Sequence, residues 1–136
     1  MRAEFQKAFN NFRAFLSDAV PELGSIITHW EDLLTSHKNR AIILNSSHAE
    51  ANGKVMFTIV LFAATVEKNA DAIPQAQMAM MEKVYRAVYN SDNPDGIISM
   101  EIPDAEYYDP TPQAPNIGIT KIEILLTVEY LDDCDD

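Results

Sequence analysis

The chain has 136 residues, 47% apolar and 23% charged, the profile of one ordinary globular domain long enough to bury a core without staples. Ten basic against twenty-one acidic residues give a formal charge of −11, which repels phosphate backbones and excludes nucleic-acid binding through a basic surface. The lone Cys134 excludes an intrachain disulfide framework, no signal-peptide pattern follows Met1, and no apolar run reaches the ~18 residues of a membrane helix, so a soluble, cytoplasmic-type protein is expected.

Ala3 to Val20 reads as a helix. Phe5, Phe9, Phe12, Leu16 and Ala19 recur at spacings of four and three, and Ala8 and Phe15 widen the stripe into a core face. Pro21 ends it, because the residue before a proline is pushed out of the α region. Residues 21 to 39 stay open: Ile26 and Ile27 suit the start of a short strand, and His29 to Leu34 a helical turn. Arg40 to Asn45 is expected as a strand on its β-branched centre, and Lys54 to Thr65 as a longer one. Asn52-Gly53 tolerates positive φ, so the two strands are expected to form an antiparallel hairpin with a polar loop from Ser46 to Ala51.

The second strand of that hairpin is apolar at both parities. Val55, Phe57, Ile59 and Leu61 face one side, and Met56, Val60, Phe62 and Ala64 the other. A strand of that kind is covered on both faces. A helix layer supplies one cover; either another subunit or residues 21 to 39 supplies the second, and the pattern alone leaves both standing.

A second helix is expected from Ala72 to Tyr89, with Asp71 as its N-cap and Pro74 in the first turn, where a missing amide costs nothing. Ile73, Gln77, Met80, Met81, Val84, Ala87 and Val88 form its apolar stripe. The methionines Met78, Met80 and Met81 read as core filling before they read as an adaptable binding surface. Ser91 to Gly96 is a turn, Ile97 to Ile102 a short strand ended or edged by Pro103, and Asp104 to Asn116 a loop or extended arm. Ile117 to Tyr130 alternates cleanly, with Thr120, Ile122, Ile124, Leu126, Val128 and Tyr130 on the buried parity. Residues 131–136 form an acidic tail.

The expected fold is therefore α+β: residues 1–136 as one domain, two helices packed on a mainly antiparallel sheet of about four strands, in the order α-β-β-α-β-β.

The residues offer little catalytic chemistry. The four glycines are scattered, so no phosphate-cradling loop exists, and His29, His37 and His48 lack the spacing and the thiolate company of a zinc site. Ser46-Ser47-His48 with Glu50 sits on neighbouring loop positions that rarely reach triad geometry. Cys134 lies among aspartates that disfavour its thiolate. No enzyme activity, no metal and no cofactor is expected. The interval from Arg86 to Lys121 holds no basic residue between its ends, six acidic ones and five of the seven prolines. An acidic, proline-rich arm carrying Tyr107 and Tyr108 suits docking against another chain, because prolines lower the ordering cost and tyrosines supply contact area; a solvated, charge-solubilised loop is its rival. Met56, Val60, Phe62, Tyr107 and Tyr108 are the candidate subunit-interface residues. Ser46, Ser47, His48, Glu50, Asp104, Glu106 and Asp109 are candidates for a docking loop.

Phe57-Thr58-Ile59-Val60-Leu61-Phe62, the helix through Met80-Met81-Glu82-Lys83-Val84-Tyr85, Ile97-Ile98-Ser99-Met100, Tyr107-Tyr108-Asp109, and Lys121 to Tyr130 with its closing Thr127-Val128-Glu129-Tyr130 resemble one family. They resemble the tail terminator proteins of long-tailed bacteriophages, the lambda minor tail protein U type, over roughly Arg40 to Tyr130. The resemblance implies a small α+β subunit that forms a homo-oligomeric ring, a hexamer, located in the virion tail and assembled in the host bacterial cytoplasm. Such a ring caps the tail tube protein, stops tube polymerisation and presents a surface to the head–tail connector protein. It implies no fixed site residues. The reading from another class is a small ferredoxin-like adaptor that binds a ligand or a partner, for which a preformed pocket is the distinguishing feature.

Overall fold

The computed structural model describes residues 2–35, 37–51 and 54–129, and for 2–5, 46–48, 50–51 and 129 the backbone alone. In chain order the elements are α1 (Arg2–Ala19), β1 (Ser25–Ile27), β2 (Arg40–Ala51), β3 (Lys54–Val66), α2 (Ile73–Asn90), β4 (Ile97–Tyr108) and β5 (Ile117–Glu129). The strands form one sheet in the order β1-β2-β3-β5-β4, parallel only between β1 and β2. The fold is α+β with two helices on a sheet, as expected, but the sheet is mixed and has five strands. The added strand, β1, comes from the region the sequence left open.

The most apolar strand takes the central position, where it has neighbours on both sides. On β3, Val55, Phe57, Ile59, Leu61 and Ala63 are buried toward the helices. Phe12 and Leu16 of α1, Met80, Val84 and Val88 of α2, and Ile122, Ile124 and Leu126 of β5 complete that core. Every stripe residue proposed for α2 is buried, whereas Met78 is 62% exposed. On α1 the stripe stops short of its last member: Ala19 is exposed. Gln77, buried in the same stripe, donates from Nε2 to the Ile119 carbonyl at 3.2 Å and so ties α2 to β5.

Three local expectations are corrected. Asp71 does not cap α2; Asn69 Oδ1 accepts from the Asp71 amide at 3.0 Å, capping a 3-10 turn that leads into the helix. Of the two readings of Pro103, the edge marker holds and the strand end does not: β4 is an edge strand that runs on to Tyr108 through residues expected in a loop or arm, with a register shift between Glu101 and Asp104. Proline is tolerated there because β4 is an edge strand and the irregularity falls where its amide is missing. Ser46, Ser47, His48 and Glu50 are not in a loop: β2 continues to Ala51 past a register shift between Asn45 and Ser47. Polar residues can occupy this stretch because β1 pairs only Arg40 to Ile42, so the rest of β2 is an edge. The turn expected at Asn52-Gly53 and the acidic tail of residues 131–136 lie outside the described residues.

Gly24 makes the turn from α1 into β1 possible. It sits at φ 73°, and a Cβ there would collide with the Asn39 carbonyl, so β1 lies against the chain entering β2 only with glycine at this point.

Candidate functional site

The helix-free face of the sheet carries the features left unexplained by the core. It collects Ile27 of β1, Ile42 of β2, Phe62, Ala64 and Val66 of β3, and Ile119 of β5 by simple alternation through the register. One end of this face is covered from within the chain. Trp30, in a 3-10 turn over Trp30–Asp32, stands edge-on to Phe62 with ring centroids 4.8 Å apart and planes at 85°. Leu33, Ile42, Ala64, Ala114 and Ile117 are buried together as a second small core. Of the two covers weighed for β3, residues 21 to 39 therefore supply the one over Phe62 and Ala64, helped by the segment after β4.

That segment is tied down by its own turns. Ala114 donates to the Thr111 carbonyl at 3.0 Å and Ile117 to the Ala114 carbonyl at 3.2 Å. The Asn116 side-chain amide donates to the Glu67 and Lys68 carbonyls at 2.7 and 2.8 Å. On the other flank Asn39 accepts from the Val66 amide at 2.8 Å and donates to the Glu22 carbonyl at 2.9 Å.

Between the two covering segments lies a cavity of about 290 Å³. Trp30, Leu34, Phe62 and Tyr108 form its aromatic and aliphatic wall, Ile117 and Ile119 its floor, and Asp109 and Thr111 supply its polar atoms. Tyr108 donates from its hydroxyl to Glu106 Oε2 at 2.6 Å; that bond and the neighbouring carboxylates raise its phenol pKa above the usual tyrosine range. Farther along the same face, Leu44 is 43% exposed, and half-buried Met56, Leu125 and Thr127 lie outside the second core. Val60 is buried between them in the sheet.

Of the candidate interface residues, Met56, Val60 and Phe62 share this face and Tyr108 joins them at the cavity. Tyr107 does not. Its register partner Thr120 is buried on the helix side, and burial, with Tyr85 nearby, raises its phenol pKa. The candidate docking residues are divided as well. Asp104, Glu106 and Asp109 lie on or just after β4, whereas Ser46, Ser47, His48 and Glu50 lie on β2, with β3 and β5 between. At ~4.8 Å per strand the two groups are about 14 Å apart across the sheet.

Two groups escaped the sequence reading. Trp30 and Leu34 fell in the unassigned stretch, where no periodicity signals them. Met78, Tyr85 and Tyr89 were legible, since offsets of seven and eleven keep them within ~20° of one line on a helix, clear of the buried stripe. Tyr85 and Tyr89 stack at 5.9 Å, and the Tyr89 hydroxyl accepts from the Ile102 amide at 2.7 Å. Among the described residues no group of three or more His, Cys, Asp or Glu is placed to hold a metal ion, and no helix is long and apolar enough to cross a membrane.

No protein-family model and no curated protein matches the chain.

Proposed function

We propose that the protein is a structural assembly subunit, a ring-forming tail terminator of a phage or prophage that caps the tail tube, ends its polymerisation and offers a surface to the head–tail connector. The observation that carries this reading is the helix-free sheet face. Leu44, Met56 and Leu125 leave apolar surface at one end, and the Trp30 cavity makes a concave socket at the other. Apolar surface and a concave socket on one face, separated on β5 by Lys121 and Glu123, are features that a subunit contact uses, because close packing and water exclusion supply its affinity. The resemblance in β3, α2, β4 and β5 supports the tail assignment within that class.

Light scattering after size-exclusion chromatography, in buffer containing magnesium, tests the proposal. A ring-sized oligomer, a hexamer by the resemblance, that co-sediments with tail tubes is expected. A chain that stays monomeric at high concentration and ignores tail tubes sinks the reading. The same cavity favours the second reading, a ligand-binding adaptor, since its volume approaches the lower end of small-molecule sites. Thermal-shift screening separates the two: a ring subunit gains no stability from small molecules, whereas an adaptor does.

A further inference from the structure

We draw no further inference here: the strongest candidate, the apolar cavity between the Trp30 turn and the segment after β4 on the helix-free face of the sheet, carries nothing beyond the reading already given, because nothing in the structure shows what covers it.

Discussion

On the helix side of the sheet, β3 and β5 meet two amphipathic helices whose stripes repeat at the right period, and Phe57, Ile59, Leu61, Ile122, Ile124 and Leu126 have no exposed surface. On the other side the same strands meet a 3-10 turn and a proline-containing segment, and only the end around Ala64 and Ile117 is sealed. A helix brings a continuous apolar stripe with its backbone hydrogen bonds already made. A turn brings one or two side chains and must have its backbone groups tied by Asn39 and Asn116. The first cover is extensive and redundant, the second local and dependent on a few bonds. The helix-free face is therefore left with open apolar surface around Leu44, Met56 and Leu125, while the exposed Met78, Tyr85 and Tyr89 lie on α2 away from its buried stripe.

Paired substitutions on β3 test this contrast most strongly. Phe57→Ala is expected to cost about 3–5 kcal/mol in denaturant unfolding, as for a sealed aromatic. Half-buried Phe62→Ala is expected to cost about 2 kcal/mol, since part of its surface already meets water. Equal losses would break the distinction between the faces. Gly118→Ala comes next, at about 1–3 kcal/mol of overpacking. Its Cβ would run into Ile73 and Gln77, so the close seat of α2 on β5 should loosen, read as a lower midpoint with faster exchange of the α2 amides.

Asn116→Ala probes the weaker cover. Loss of its bonds to the Glu67 and Lys68 carbonyls is expected to cost about 1 kcal/mol and to change Trp30 fluorescence without disturbing the far-ultraviolet spectrum. An unchanged emission spectrum would show that the cover does not depend on this tether. The smallest effect belongs to the Glu22–Lys83 ion pair, which joins the turn after α1 to α2. The bond from Lys83 and a backbone hydrogen bond hold the Glu22 carboxyl below its ordinary 4.5. A lowered folded pKa means the stabilisation is full above 4.5 and disappears as pH falls through the folded value. Both partners are well exposed, so the pair contributes under about 1 kcal/mol. Melting curves of wild type and Glu22→Gln should converge at low pH and separate modestly near neutrality; a constant gap would assign the difference to something other than this titration.

Much of the first face was legible in the sequence. The buried stripe of α2, the doubly apolar β3 and the alternation of β5 each follow from a period that side-chain geometry imposes on any helix or strand, whatever surrounds it. The long-range choices were not legible in the same way. Whether Pro103 ends β4 or rides through it depends on β4 lying at the sheet edge, and Ser46 to Ala51 stay extended because β3 pairs with them. The identity of the cover over Phe62 turned on where Trp30 comes to rest.

By itself, then, the amino-acid order determined the class of fold, the faces of α2, β3 and β5 that must leave water, and the net charge of −11. Those are properties of composition and period, which local backbone geometry converts directly into surface. Only the tertiary structure decided that a three-residue strand joins the sheet in parallel, that Tyr107 and Tyr108 serve opposite faces, and that Trp30, Leu34 and Asp109 surround one socket. Each of these depends on contacts between segments distant in sequence, and no local repeat encodes which distant partner a strand or turn will meet.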